Sequence, residues 1–490
     1  MARRVLFPKL TDVLFIAVFI ASVMLGARML NTDGDLGRDL TLGDLILTTR
    51  SIPVTDVFSW TKTGQPRPPY EWLAQVLLSA ADRLLGLDGV VVLTSCVIAS
   101  AFVIVGFDAF LRSSLPLSSL LISAGAAIAS SLHWLARPHV FTFLFLALWL
   151  GGLDRIRRAS NSSWWELPLL MVLWANTHGG FVFGFAAWIA YFAGWLWESR
   201  GGRVMKATGA KLLVTGGASL LASFITPDLW HNWDAVLGNR SAYILSQTAE
   251  TMPPQISMQA VWPFILLLVV AVVLAILNAR RVLAPHLLLV LGFAAAALLM
   301  ARNIPLFAIA VAPILALWLS QFLRNRTAWP RWEDALTRVE SSLTGSFWPF
   351  VSVLVVSGIL ALHLASTGGS RYRFSSQVFP VEATDWIEAN RPSGLMFNDF
   401  NWGGYLLYRL WPSERVYIDS QSDFYGEQFV RQYAALLAAS PGWEEEFSQV
   451  GIGWAVVPPA APLAQQLRRA AGWHAAYQDS TAAVFVRALP

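Results

Sequence analysis

Cysteine and charge are scarce in this chain. The single cysteine, Cys96, lies inside a hydrophobic run, which excludes an intramolecular disulfide framework and a cysteine-built metal cluster. Charged residues make up 13% of the 490 positions against 56% hydrophobic, and runs of bilayer-spanning length exclude an ordinary water-soluble protein. The net charge is +4, but the basic residues sit in short loops and form neither a stripe nor a recognisable binding module, so nucleic acid is not an expected partner. No Ser-His-Asp hydrolase arrangement, P-loop, dinucleotide fingerprint or short-period repeat is present.

What is there is membrane sequence. Hydropathy places about eleven spans, near 11–30, 88–110, 116–134, 139–153, 164–177, 180–197, 208–226, 261–279, 284–301, 303–321 and 346–366. The N-terminus, with Arg3, Arg4 and Lys9, resembles a signal peptide but lacks a small-x-small cleavage site near Ala27-Arg28-Met29, so it reads as an uncleaved first span. Every second loop is basic, through Arg112, then Arg155, Arg157 and Arg158, then Arg200 to Lys211, then Arg280 and Arg281, then Arg324 to Arg331. Basic loops stay in the cytoplasm, so the N-terminus is expected there and the segments 31–87, 135–139, 176–180, 227–258, 302–303 and the tail from 367 on the opposite side. The fold class expected is an α-helical polytopic membrane domain over 1–366 with a soluble α/β cap over 367–490.

Within the first outer loop, 31–87, apolar spacing from Tyr70 to Leu85 predicts a helix lying on the membrane surface. Residues 329–343 predict another on the cytoplasmic side. The cap reads as helix 381–390, strand 394–398, helix 402–410, strand 415–419, helix 426–439, strand 453–457, helix 461–471 and strand 482–487.

Chemistry concentrates at the outer face. Asn31-Thr-Asp33-Gly-Asp35-Leu-Gly-Arg38-Asp39 follows the first span directly. Carboxylates there either stay solvated and cap the next helix or serve as a general base, taking a proton from an acceptor hydroxyl or amine that attacks an activated sugar carbon. Arg38, Arg137 and Arg302 carry forked donors suited to a phosphate leaving group, or else end helices and snorkel. His139 and His178 add imidazoles without metal-ligand spacing. Glu71 opens the surface helix, where it either complements the dipole or places an acceptor. The cap segments Phe397 to Tyr405 and Tyr417 to Asp423 follow predicted strands, the usual ligand positions of α/β sheets, although Asn401-Trp-Gly-Gly reads more simply as a structural turn.

The layout resembles the GT-C glycosyltransferases of the protein O-mannosyltransferase and aminoarabinose-transferase type. Closer still are bacterial multi-spanning members, through Asp33-Gly-Asp35, Ile52-Pro-Val-Thr-Asp56-Val-Phe-Ser59, Glu71-Trp72-Leu73, Ala136-Arg137-Pro-His139, Asn176-Thr-His178-Gly-Gly, Arg302-Asn303 and Asn401-Trp-Gly-Gly-Tyr405. Gly37-Arg38-Asp39 stands where Trp-Trp-His is common there, and Tyr70 where His is common. The resemblance implies transfer of a hexose or pentose from a polyprenyl-phosphate donor to a glycan, lipid or protein acceptor at the outer face of a bacterial cytoplasmic membrane. Asp35, or alternatively Asp33, would be the base. Arg38, Arg137, His139 and Arg302 would hold the donor phosphate, and Glu71, Asp39 and His178 the acceptor. Protein cations would supply most of the electrostatics, with no cofactor required or a divalent cation on the Asp33–Asp35 pair. The alternatives are a non-catalytic scaffold or partner-binding subunit of a membrane complex, and a transporter of lipid-linked glycans; transport would place charges at mid-membrane. A topology reporter fused after Gly368 is expected to read external and one after Arg158 cytoplasmic; an internal reading after Gly368 would overturn the orientation.

Overall fold

A computed structural model describes residues 7–158, 162–200, 206–238, 241–246, 249–325, 331–343 and 347–488. These fall into two compact units, one within Met1–Leu25, Val91–Leu237 and Thr248–Gly368, the other within Gly26–Val90, Gly238–Gln247 and Gly369–Pro490.

Each expected span is helical, and seven candidate helices among the described residues are long and apolar enough to cross a membrane. The first unit is helical throughout. Its central member, Ile304–Asn325, packs against Pro116–Ser130, Ala284–Leu299, Trp262–Leu277 and His139–Arg158. Buried Ala, Leu and Ile along it, with Trp318, let the neighbours approach on several sides. Trp348–Thr367 is the opposite case: its best apolar window is only 6% buried, leaving an apolar surface that suits lipid. The first span is shorter than its hydropathy predicts. The helix Leu10–Met24 stops at Leu25, whose N–H donates to the Ala21 and Ser22 carbonyls, and Gly26–Asn31 is a separate short helix. The helix expected over 329–343 is present at Arg331–Ser342.

The second unit joins the loop after the first span, within Gly26–Val90, to the C-terminal chain. The loop supplies helices α1 (Asp35–Thr49) and α2 (Trp72–Leu85). The C-terminal chain supplies α3 (Val381–Asn390), β1 (Leu395–Asn398), α4 (Gly403–Leu410), α5 (Glu427–Leu437), α6 (Trp443–Val450), β2 (Ile452–Val457), α7 (Pro462–Leu467), β3 (Trp473–Gln478) and β4 (Ala483–Arg487). The sheet order is β1-β2-β4-β3, with β1 and β2 parallel and the other pairs antiparallel. Alternate strand residues bury opposite faces. Phe397, Ala455, Val457 and Phe485 meet α5, α6 and α7, while Met396, Val456 and Val484 meet α3, α4 and Phe58 of the outer loop.

The expected strand 415–419 is not one. Val416 exchanges hydrogen bonds with Phe58 and Trp60, and the Asn398 side chain takes over further pairing: its Oδ1 accepts from Tyr417 N at 2.8 Å and its Nδ2 donates to Ile418 O at 2.9 Å. An amide side chain thus replaces a ladder partner. β3 and α6 are additions that hydropathy does not reveal; β3 is largely exposed and carries little apolar alternation.

Helix α1 touches its neighbours backbone to backbone. A Cβ on Gly37 would lie 2.3 Å from the Gly404 carbonyl oxygen, one on Gly404 would lie 2.1 Å from that of Gly34, and one on Gly43 2.1 Å from that of Gln75 on α2. Gly37 thus has a packing reason for standing where the resembling proteins carry a large aromatic, and the Asn401-Trp-Gly-Gly segment is the matching surface. Trp402 is buried there, donating from Nε1 to Val378 O at 2.9 Å. Gly404→Ala should lower the unfolding free energy by about 1–3 kcal/mol through overpacking. Gly125→Ala, where a Cβ meets open space, should be neutral or slightly stabilising; thermal unfolding in detergent separates the two, and equal midpoints would refute the close contact.

Candidate functional site

Asp35 opens α1 at the helix N-terminus, where backbone N–H groups favour a carboxylate. Asp33 Oδ1 accepts from Asp35 N at 2.9 Å, an Asx-type turn that starts the helix. Asp35 accepts the hydroxyl of Ser420 and stands 3.7 Å from Arg38. One turn on, Arg38 and Asp39 point inward with side chains 7% and 1% exposed, their ion pair at 3.0 Å.

Arg38 is shared. Besides Asp35 and Asp39 it faces Asp419 at 3.9 Å and donates to Gln421 Oε1 at 3.1 Å. Burial works against its charge, but Asp39, Asp35 and Asp419 outweigh it and hold the guanidinium well above its ordinary pKa. Arg67, from the Pro-rich stretch before α2, is caged similarly. It donates to Asp56 at 2.6 Å, to Asp419 at 2.9 Å and to Gln421 Oε1 at 2.7 Å, and stacks 4.5 Å from the Phe424 ring centroid. Burial opposes this charge too, and Asp419 leads the groups that raise its pKa.

Asp39 is the least satisfied of these acids. Gln75 Nε2 donates to its Oδ1 at 2.9 Å and Arg38 to the same oxygen at 3.0 Å. Its Oδ2 and the Gln75 Oε1 are buried without a hydrogen-bond partner. Burial pushes the carboxyl up from its usual range, against the pull of Arg38. Beside the cluster lies a small pocket lined on its polar side by Arg38, Thr55, Arg67, Tyr70, Glu71, Gln75 and Gln421. Tyr70 Oη accepts from Gln421 Nε2 at 3.3 Å, and Glu71 occupies the N-cap position of α2. Thus Asp33, Asp35, Arg38, Asp39 and Glu71 come together within one unit. Arg38, expected on a phosphate, is instead engaged by carboxylates.

Arg137, His139, His178 and Arg302 belong to the first unit. Arg137, His139 and Arg302 all act electrostatically on His133. The His139 ring lies 6.4 Å from those of both His133 and His178, and its Nε2 is 2.9 Å from His133 O. His178 Nδ1 accepts from Gly180 N at 2.9 Å and meets Thr142 Oγ1 at 2.9 Å. Within the unit, then, His178 keeps company with His139. The carboxylate of Glu250 is 3.5 Å from Arg137 and 3.9 Å from His133, so it offsets part of the positive charge there.

Sequence reasoning missed Arg67, Gln75, His133 and Glu250 as participants. Asp56 and the Asp419–Gln421 stretch lie in segments it had singled out, and an arginine between prolines in an apolar protein was a usable signal for Arg67. Among the described residues no group of three or more His, Cys, Asp or Glu side chains is arranged to hold a metal ion.

No protein-family model and no curated protein sequence matches the chain, but solved structures do. The oligosaccharyltransferase of Archaeoglobus fulgidus in its apo form superposes with a TM-score of 0.59 at 12% identity, over 90% of this chain and 69% of that one. AglB, the archaeal oligosaccharyltransferase from Archaeoglobus fulgidus in complex with an inhibitory peptide and a dolichol-phosphate, gives 0.57 at 12% identity over 91% and 69%. ArnT from Cupriavidus metallidurans bound to undecaprenyl phosphate gives 0.50 at 14% identity over 96% and 97%. The chain has the fold of the GT-C membrane glycosyltransferases.

Proposed function

We propose that this protein is a GT-C-type glycosyltransferase that moves a sugar from a polyprenyl-phosphate donor to a glycan, lipid or protein acceptor at the outer face of the cytoplasmic membrane. The observation that carries the reading is Asp35. On a fold shared with proteins solved with dolichol-phosphate and undecaprenyl phosphate, it begins the first helix after the first hydrophobic span and heads a cluster of buried acids. A base must reach solvent and substrate; the Asp35 side chain is 13% exposed where those of Asp39 and Asp419 are 1% and 0%. Asp35 accepts the acceptor's proton as the new glycosidic bond forms, and the bond to the phosphate breaks with its electron pair leaving on the phosphate. In the first unit, Arg137, Arg302 and His139 are the groups this reading assigns to the donor phosphate. Arg38 holds the acids in place and is not itself the phosphate ligand. Glu71, on the pocket wall, places the acceptor.

One observation favours a second reading, a non-catalytic scaffold within a membrane complex: Arg38 is caged by Asp35, Asp39 and Asp419. Turnover decides between the two. Asp35→Asn should reduce transfer about 100-fold or more while leaving donor binding intact, since it removes proton acceptance at constant size. Near-normal turnover in both Asp35→Asn and Asp33→Asn would eliminate this loop as the source of the base.

The phosphate assignment has its own test. Arg137→Ala and Arg302→Ala should each weaken binding of a polyprenyl-phosphate sugar about tenfold or more, the worth of about 1.5 kcal/mol of charge-assisted hydrogen bonding. Lysine replacements should lose less, keeping the charge but not the fork. Wild-type affinity in all four variants would make both residues helix-end groups.

A further inference from the structure

Four carboxylates and two guanidiniums share the buried cluster: Asp35, Asp39, Asp56 and Asp419 with Arg38 and Arg67. Fully ionised, it would carry two uncompensated negative charges in surroundings that stabilise unpaired charge poorly. The hydrogen bonds show where that imbalance is relieved. Asp56 accepts from Arg67, from Ser59 Oγ at 2.6 Å and from Ser59 N at 3.0 Å. Asp419 accepts from Arg67 and from Gln421 N at 2.9 Å. Asp35 has the Ser420 hydroxyl and the helix terminus. Donors reach both oxygens of Asp56 and of Asp419, whereas both donors of Asp39 fall on Oδ1. A carboxylate with few donors gains least from its charge.

The neighbour of that bare oxygen has the same need. Gln75 spends Nε2 on Asp39 Oδ1, and its Oε1 is buried with no donor. Both groups thus keep a buried acceptor without a donor, and they are already bonded to each other. We propose that Asp39 is a neutral carboxylic acid at physiological pH, with its proton on Oδ2 donated to Gln75 Oε1. Flipping the Gln75 amide would not serve instead, since it would set Oε1 against Oδ1.

The groups acting on this proton are few. Arg38 and Asp35, both on α1, act on Asp39 directly, and Asp419 and Tyr70 act on Arg38. From α2, Gln75 is the facing side chain; Arg83 pairs with Asp44, and Asp82 faces Tyr408 of α4. Glu71 stands at the N-cap of α2, and Arg409 of α4 pairs with Asp385 and Glu388. Burial and the sparse donors favour the acid form, in line with the upward displacement of its pKa. Resting on the transferase reading, the consequence is a division of labour: with Asp39 neutral, the charge of Arg38 is left to Asp419 and to Asp35, the base of that reading. Asp39 is a positioning residue that acts through Arg38 and Gln75.

Infrared difference spectroscopy on the full chain in nanodiscs tests this. At pH 7 the wild-type minus Asp39→Asn spectrum should show a protonated-carboxyl stretch that shifts in D2O. Gln75→Leu should move that band to higher frequency as its hydrogen bond is lost, which keeps the test available if Asp39→Asn folds poorly. The linkage sign is fixed: a folded-state pKa above the unfolded value gives stability that is complete at low pH and is lost as pH rises through the folded value. The wild-type unfolding midpoint should therefore fall towards alkaline pH more steeply than that of Asp39→Asn. Absence of the band at pH 7, or a band indifferent to both substitutions, would overturn the proposal. The band is read without substrate, so it holds or fails independently of whether sugar transfer is observed.

Discussion

The second unit depends on two buried guanidiniums that must be neutralised where they stand. Arg38 and Arg67 come from the outer loop, and Asp419 and Gln421, which serve both, come from a segment some 350 positions further along the chain. Breaking a buried ion pair by removing one partner typically costs about 3–5 kcal/mol. The outer loop is thereby committed to the C-terminal chain by electrostatics as well as by the glycine contacts of α1. Phe58, Leu42 and Leu45, which add apolar cover on the same sheet face, would be far less specific alone, because hydrophobic contact does not fix register.

Spans, surface helices and most cap elements were legible in the sequence because each is a local pattern with the period of its structure. The failures are non-local. Residues 415–419 look like a strand from composition, but their partners are Phe58, Trp60 and the Asn398 side chain. The candidate site divides the same way. Asp33, Asp35, Arg38 and Asp39 are adjacent in sequence and could be singled out together. The caging of Arg38 could not be foreseen, because Asp419 and Gln421 reach it only through folding. Gly37 shows the limit from another side: seen beside the resembling proteins it looked like a missing aromatic, and the structure gives it a packing role that needs no side chain.

Charge is distributed with opposite emphasis in the two units. Around Arg38 and Arg67 carboxylates outnumber guanidiniums, whereas around His133 the arginines and imidazoles meet the Glu250 carboxylate. Each balance is set by neighbours within the same unit.

The Asn398 device has a consequence for what holds such a site in place. Sheets are intolerant of sliding, since a one-residue slip exchanges buried and exposed faces. Asp419 and Gln421 follow a stretch held by the Asn398 side chain, by the Thr61 hydroxyl on Tyr417 O and by the bridge between Ser59 and Val416, outside the four-stranded ladder. Strand pairing therefore does not fix where these two residues lie; their bonds to Arg38 and Arg67 do. The fold sets its caging acids by side-chain contacts and leaves the ladder to the apolar core.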